Sequence, residues 1–167
     1  MQPKRLRIIK VIILNNIDID IDILKEEDLD EVSRIEEETF STPWSRDSFK
    51  DTIDNDNTLY LVAYKDGEVA GYAGLWQSLD EGEITNVAID SRFRRLGIAY
   101  KLMNILEEKG HERGINAFFL EVRESNDKAI KLYEKLGFKH LGKRKNFYEK
   151  PREDALIMSK IINNDNN

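Results

Sequence analysis

Hydrophobic and polar residues alternate strictly in the segment Ile17–Ile23, where isoleucine and aspartate take turns. A period of two puts the isoleucines on one face of a strand and the aspartates on the other. A charged outer face is typical of a protected sheet edge, because it discourages pairing with other chains. The pattern therefore predicts a half-buried strand at the edge of a sheet.

Apolar residues recur every three to four positions in four later segments, which is the period of an amphipathic helix. The predicted helices span residues 27–39, 46–53, 97–113 and 126–136. Their ends carry capping signals, because Ser45 is a good N-cap and Gly114 and Gly137 follow the last turns. These signals set the expected helix boundaries.

Further strands are predicted over residues 59–64, 69–76, 83–90, 118–122, 139–144 and 155–161. Asp66-Gly67 joins the first two of these and is a strong hairpin signal. The element order is then β-α-α-β-β-β-α-β-α-β-β. This order indicates an α+β fold, with a mixed sheet and helices on both of its faces.

The length of 167 residues suits one domain with a full core, and no repeat or linker divides the chain. We assign residues 17–162 to this domain. Residues 1–16 are basic and apolar and then polar, so we expect an extension that is either frayed or an extra edge strand. Residues 163–167 are a polar tail that we expect to be disordered.

Composition excludes several kinds of chemistry. The chain has no cysteine, which removes disulfides, thiol nucleophiles and thiolate metal sites. Neither His111 nor His140 has a partner at ligand spacing, so we expect no metal. A net charge of −6 argues against direct nucleic-acid binding and would suit a basic peptide partner.

Membrane insertion is also not expected. No apolar run approaches the roughly 20 residues of a membrane-spanning helix. The short apolar runs among the basic residues near the N-terminus lack the length and the cleavage site of a secretory signal. We therefore expect a cytoplasmic protein.

Residues suited to an anionic ligand lie between the predicted strand 83–90 and the following helix. Arg94 and Arg95 add fixed positive charge, and Gly97 and Ala99 are small enough for a phosphate to approach the backbone. The first helical N–H groups have no partner within the helix. The Walker pattern and the dinucleotide fingerprint are both absent. A basic turn that caps an ordinary helix would explain the same residues.

Two motifs resemble a known family. Arg94-x-x-Gly97-x-Ala99 resembles the pyrophosphate loop of the GNAT family of N-acetyltransferases. The block from Leu120-Glu121-Val122-Arg123 to Leu136-Gly137-Phe138 closely resembles the bacterial ribosomal-protein-alanine N-acetyltransferases of that family. Trp44-Ser45 and residues 86–90 and 152–155 also look like this group. The resemblance covers about residues 19–160.

The resemblance implies the GNAT fold, with a mostly antiparallel sheet, and acetyl-CoA as the cosubstrate without a metal. It implies that Glu121 accepts a proton and that Tyr133 donates one. It also implies an acceptor groove that contains Trp44 and Tyr148. The residues implied to line acetyl-CoA are Val87, Ala88, Ile89, Arg94, Arg95, Leu96, Gly97, Ile98, Ala99, Tyr100 and Asn126. Ala99 departs from the second glycine of many relatives, but a methyl group need not block the backbone contact.

The chemistry of the residues supports these roles and leaves alternatives. Glu121 ends an apolar strand, where burial raises the pKa of a carboxyl group toward that of a useful base. A surface glutamate paired with Arg123 or a lysine is the other interpretation. Tyr133 lies on the apolar stripe of its helix, where core packing is the usual role. Asn126 is a good N-cap, and a capping residue can still touch a cofactor.

Three further assignments have structural alternatives. Backbone N–H groups of residues 87–89 could face the cofactor only if a bulge or splay freed them from ordinary strand pairing. Trp44 and Tyr148 could equally be packing anchors. The basic run Lys143–Lys145 is interpreted as a solvated strand end, with contact to the 3′-phosphate of the cofactor as the alternative.

We therefore predict an acetyl-CoA-dependent acetyltransferase that modifies protein N-termini. Transfer is direct, in a ternary complex, since no cysteine could carry the acetyl group. By resemblance the acceptor is the N-terminal alanine of ribosomal protein S18. We also expect a monomer or weak dimer. The alternatives are a small-amine acetyltransferase, acting on a polyamine or an antibiotic, and a catalytically silent CoA-binding module, which would not require both Glu121 and Tyr133.

Overall fold

One eight-stranded sheet runs through the part of the chain that the computed structural model describes, residues 10–14 and 17–162. The strands, with the helices that flank the sheet, are β1 Lys10–Leu14, β2 Ile17–Ile23, α1 Leu29–Thr39, α2 Arg46–Ile53, β3 Thr58–Lys65, β4 Glu68–Ser78, β5 Glu81–Ile89, α3 Ile98–Glu112, β6 Ala117–Arg123, α4 Asp127–Lys135, β7 Lys139–Glu149 and β8 Arg152–Ile161. The strand order is β1-β2-β3-β4-β5-β6-β8-β7. Only β5 and β6 are parallel. The predicted α+β architecture with a mixed, mostly antiparallel sheet is confirmed.

The edge position predicted for residues 17–23 is wrong. β1 pairs antiparallel with the outer side of β2, so β2 lies between β1 and β3. The alternation also fails at the end of β2, because Asp22 is buried against Lys25 at 2.8 Å while Ile23 is exposed. The predictions for the rest of segment 1–16 and for residues 163–167 lie outside the described residues.

Helices cover both faces of the sheet, as predicted. Successive residues of β3 and β4 point to opposite faces, as the period of a strand requires. Leu61 and Leu75 pack in a cluster with α3 and with Tyr133 of α4. Val62 and Tyr72 pack in a second cluster with α1 and α2. The elements that carry the candidate site residues are therefore packed into two separate hydrophobic cores.

The predicted caps are present. The Ser45 hydroxyl accepts from the Ser48 N–H at 3.1 Å, and the Asn126 side chain accepts from the Ala129 N–H at 3.2 Å. Gly114 and Gly137 take left-handed conformations directly after α3 and α4. Because these signals are local, the helix boundaries follow from the sequence. None of the helices in the described part of the chain is long and apolar enough to span a membrane.

Candidate active site

An opening in the sheet lies between β5 and β6. Parallel pairing joins Glu81–Ile84 to Ala117–Leu120 and stops there, although both strands continue. At the same level the register of β5 against β4 shifts, because Leu75 pairs with Ile84 but Gly74 pairs with Asn86. Thr85 is therefore the extra residue of a bulge, and a bulge bends its strand. The two strands part at this point.

The second half of β5 turns some of its amide groups into this opening. Asp90 donates its N–H to the Ala70 carbonyl at 2.8 Å, and hydrogen-bonded pairs alternate along an antiparallel ladder. Val87 and Ile89 consequently direct their amides away from β4, whereas Ala88 directs its amide toward β4. The splay that the sequence could not reveal is thus present, and it exposes two of the three predicted amides.

The turn after β5 has the backbone of an anion site. Arg95 and Gly97 both adopt left-handed conformations, with φ values of 65° and 77°. Left-handed residues next to a helix start turn successive N–H groups into one concavity. The first turn of α3 contains no acidic residue. Arg94 and Arg95 are exposed, and Arg94 also donates to the Ile89 carbonyl at 3.2 Å. Positive charge and a backbone of this shape suit a phosphate or pyrophosphate group.

The other predicted cofactor residues lie at the starts of α3 and α4. Ile98 is buried in the core and anchors the helix start, while Leu96, Ala99 and Tyr100 are half-buried. The Lys135 Nζ atom of α4 lies 4.8 Å from the centre of the Tyr100 ring. Asn126 is exposed at the start of α4, where it caps the helix. At the starts of both α3 and α4, some atoms of the predicted cofactor residues are therefore accessible to a ligand.

Asp90, which the sequence analysis did not single out, secures the turn. Its buried carboxylate accepts from Arg34 of α1 at 2.7 Å and from Arg92 at 3.0 Å. It also accepts from the Arg92 backbone N–H at 3.0 Å. These donors hold the pKa of Asp90 well below its usual range, with the Arg92 side chain as the largest cause. The turn is thereby tied to a helix on the other side of the sheet.

Glu121 lies near the end of β6, where that strand has parted from β5. Its side chain is 21% exposed, and its Oε1 atom is 3.2 Å from the Arg144 guanidinium. Burial raises the pKa of Glu121, the Arg144 cation opposes this rise, and Glu83 adds to it. Burial thus makes this carboxylate a stronger base than an exposed glutamate, which suits it to accept a proton.

The partner of Glu121 is Arg144, and not Arg123 or a lysine as the alternative interpretation supposed. Arg123 pairs with Glu153 at 3.2 Å instead of with Glu121. Of the basic run Lys143–Lys145, Lys143 pairs with Glu124, and Arg144 reaches Glu121. All three residues of this run are exposed, as predicted, but the run lies within β7 instead of at its end, and Arg144 also reaches Glu121.

Tyr133 lies on the other face of the sheet, in the cluster that contains α3. It is 9% exposed and packs against Phe138 with ring centroids 6.0 Å apart. Burial, followed by the neighbouring Tyr148 phenol, raises the pKa of Tyr133 to about 12. The phenol is thus protonated at neutral pH and can donate a proton. Burial and then the Glu121 carboxylate raise the pKa of Tyr148, so Tyr148 interacts with both predicted catalytic groups.

Two neighbouring cavities lie on the face of the sheet that packs against α1 and α2. One, of about 280 Å³, is lined by Glu121, Arg144 and Glu83. The other, of about 250 Å³, is lined by Trp44 and Thr85 among others. Trp76 borders both and is 44% exposed. The sequence analysis missed Trp76 and Glu83; a large aromatic residue at a predicted strand end was the available signal.

Trp44 and Tyr148 are each held by neighbouring side chains. The Trp44 ring packs on Phe49 and Tyr60 at centroid distances of 5.5 and 6.0 Å. The Arg123 guanidinium lies 4.2 Å above the Tyr148 ring. Both residues therefore pack against neighbours, and Trp44 also lines the smaller cavity. Within the described ranges, no three His, Asp or Glu side chains converge as a metal site would require.

Comparison with known proteins gives consistent matches. Residues 29–138 match the family model described as Acetyltransferase (GNAT) family. The chain is 41% identical over 141 residues to a Bacillus subtilis protein proposed to be a ribosomal protein bS18-alanine N-acetyltransferase, covering 84% of this chain and 93% of that protein. It is 35% identical over 144 residues to the ribosomal protein bS18-alanine N-acetyltransferase of Haemophilus ducreyi, covering 83% and 97%.

A solved structure matches this chain with a similar sequence identity. The crystal structure of the ribosomal-protein-S18-alanine N-acetyltransferase from Escherichia coli superposes with a TM-score of 0.80 and 33% sequence identity. The match covers 89% of this chain and 98% of that one. The similarity thus extends through the fold, including both sides of the opening between β5 and β6.

Proposed function

The chain belongs to the GNAT family of acetyltransferases, and on this premise we propose that it acetylates the N-terminal alanine of ribosomal protein bS18. It is an acetyl-CoA-dependent N-acetyltransferase by its family. The assignment of the acceptor rests on the similarity of this chain to relatives that bear this activity in their names. The similarity extends over more than nine-tenths of the length of those relatives. An acceptor on the ribosome would place the enzyme in the cytoplasm.

The acetyl-CoA site is proposed to lie at the start of α3 and along the free side of β5. The left-handed turn at Arg95 and Gly97 would hold the pyrophosphate through backbone N–H groups and the helix dipole. The outward-facing amides of Val87 and Ile89 would bind the pantetheine chain and the thioester oxygen. Bound acetyl-CoA supplies a carbonyl carbon that an amine can attack.

Glu121 is proposed to prepare that amine. An α-ammonium group has a pKa near 8 and must lose a proton before it can attack. The Glu121 carboxylate would take this proton, directly or through one water molecule. The nitrogen would then form its bond to the acetyl carbon while the bond between that carbon and sulfur breaks, and the second proton that the new amide nitrogen must lose would pass to water.

Tyr133 is proposed to complete the transfer. The departing thiolate needs a proton, and the buried Tyr133 phenol stays protonated up to a pH of about 12. Tyr148 interacts with both groups, because the Glu121 carboxylate raises the pKa of Tyr148 and Tyr148 raises the pKa of Tyr133. Base and acid are therefore supplied from opposite faces of the sheet, through the gap that separates β5 from β6.

The α-amine is favoured over a lysine side chain by acidity. The pKa of lysine is about 2 units above that of an α-amine, so the same carboxylate deprotonates it far less readily. The neighbouring cavities bounded by Trp44 and Trp76 leave room for an extended peptide behind the N-terminal residue. A small polyamine would leave much of this aromatic surface unused.

A peptide assay tests the proposal. The substrate is a short peptide with a free alanine N-terminus and an internal lysine, beside the same peptide blocked at its N-terminus. We expect acetylation of the free peptide at its α-amine and none of the blocked one. Acetylation of the blocked peptide at lysine, or of spermidine in preference to both, would contradict the proposal and favour a small-amine enzyme.

A further inference from the structure

The buried carboxylate of Glu36, on α1, connects two segments that border the proposed acceptor groove. These segments are the loop that carries Trp44 and strand β5. Glu36 is only 2% exposed, although it belongs to the helix face that otherwise carries apolar residues such as Val32 and Ile35. Burying a carboxylate is costly unless hydrogen bonds replace its water. An apolar residue would fill the same space at lower cost, so the cost of Glu36 calls for a specific role.

Three uncharged donors satisfy Glu36. Its Oε1 atom accepts from the backbone N–H of Trp44 at 3.1 Å and from the Asn86 side chain at 3.2 Å. Its other carboxylate oxygen accepts from the Tyr72 hydroxyl. One oxygen atom therefore links the loop between α1 and α2, which carries Trp44, to strand β5.

The network continues to the bulge that opens the sheet. The Tyr60 hydroxyl donates to Asn86 at 2.7 Å and lies 2.6 Å from the Thr85 hydroxyl. Thr85 is the extra residue of the bulge, and it lines the same cavity as Trp44. Fully satisfied polar networks of this kind specify one arrangement of the elements they connect.

We propose that Glu36 is a positioning residue for the acceptor peptide, which sets the distance between the Trp44 loop and the bulge in β5. The assignment of this groove to the acceptor rests on the proposed function. Glu36 lies too deep to touch the substrate, so it acts through Trp44 and through Asn86.

Glu36→Gln is the sharpest test because it keeps the shape of the side chain. The amide of glutamine offers one acceptor and one donor where the carboxylate offered two acceptors. The amide can keep its oxygen on the Trp44 N–H and Asn86 by turning its NH2 group toward the Tyr72 hydroxyl, which then loses its own acceptor. The remaining acceptor is uncharged, and hydrogen bonds to an ionised acceptor are roughly twice as strong as those to a neutral one. We expect this weakening to loosen the Trp44 loop.

Asp28→Asn is the matched control. Asp28 is a second buried carboxylate at the start of α1, and it accepts from the Tyr64 hydroxyl at 2.7 Å and from the Lys25 N–H at 2.9 Å. Both variants exchange one buried carboxylate for its amide beside a tyrosine. Only Glu36 is linked to the groove, so only its variant should change the groove.

The first measurement needs no acceptor. Trp44 and Trp76 are the two tryptophans of the chain, so Trp76→Phe leaves Trp44 as the sole source of tryptophan fluorescence. In that background we expect Glu36→Gln to raise acrylamide quenching at least twofold and Asp28→Asn to leave it unchanged. Unchanged quenching in Glu36→Gln would overturn the inference, whether or not any peptide is acetylated.

The second measurement separates binding from chemistry. In the otherwise wild-type chain, we expect Glu36→Gln to raise KM for an alanine-initiated peptide about tenfold, the effect of losing roughly one buried hydrogen bond. The affinity for acetyl-CoA and kcat should stay within about twofold. If Asp28→Asn raised KM by the same factor, in proportion to its own drop in melting temperature, the rise in KM would be an effect of general stability. That result would overturn the inference.

Discussion

Replacement of Glu121 by glutamine removes the proposed base and keeps its shape. A general base contributes on the order of 10²-fold to turnover, so we expect kcat/KM to fall by about that factor at pH 7. Acetyl-CoA binding should persist, because Glu121 lies on β6 and away from the turn at Gly97. The perturbation thus separates chemistry from cofactor binding.

The dependence on pH follows from the groups around Glu121. Without the base, only the acceptor that is already neutral reacts, and the neutral fraction of an α-amine rises about tenfold between pH 7 and 9. The roughly 10²-fold loss should therefore shrink to about 10-fold at pH 9. In the wild type, activity falls at low pH as Glu121 takes up a proton, at a pH above the usual range because burial raises its pKa.

Arg144 provides a directional check on this reasoning. The Arg144 cation lowers the pKa of Glu121, so Arg144→Gln should move the acid limb of the rate profile to higher pH. Lys143→Gln is the control, because Lys143 pairs with Glu124 instead. The assay is the initial rate of peptide acetylation from pH 5 to 9. An unchanged rate in Glu121→Gln with the same pH profile as the wild type would refute the role of Glu121.

Three other perturbations test the remaining parts of the site. Tyr133→Phe should lower kcat with little change in the acetyl-CoA affinity measured by calorimetry, and a lost affinity with normal kcat would contradict this role. In the wild type, the rate profile should show no alkaline limb from this phenol below about pH 10, since the pKa of Tyr133 is about 12. Gly97→Val should abolish acetyl-CoA binding, whereas Gly114→Val, with a similar positive φ at the far end of α3, should cost stability alone; equal acetyl-CoA affinities in Gly97→Val and the wild type would exclude the turn as the pyrophosphate site. Asp90 has a depressed pKa, so its ion pairs stabilise the fold above about pH 4 and are lost as the pH falls below that value; thermal unfolding between pH 7 and 2 should show a smaller acid loss in Asp90→Asn.

Local signals predicted the fold well. Ser45, Asn126 and Gly114 act through contacts within a few residues along the chain, so their capping roles were visible in the sequence. The position of β2 was not, because it depends on pairing with β1, which lies outside the family resemblance. Whether a strand is at an edge is decided by its neighbours in space and not by its own alternation.

The candidate site was predictable in part, for the same reason. The motif residues Glu121, Tyr133 and Gly97 were visible because their spacing is local. The partner of Glu121 was not, since Arg144 reaches it only through the register shifts between β7 and β8. Glu36 left one signal, a glutamate on the apolar face of a predicted helix, but its partners come from three other segments.

The central claim is most directly tested on the proposed acceptor itself. Ribosomes are isolated from cells that contain the gene and from cells in which it is deleted, and intact bS18 is weighed and fragmented by mass spectrometry. The account predicts one acetyl group on the N-terminal alanine in the first sample and none in the second, with restoration by the wild-type gene and not by Glu121→Gln. An acetylated N-terminus in both samples, or an unmodified one in both, would contradict it.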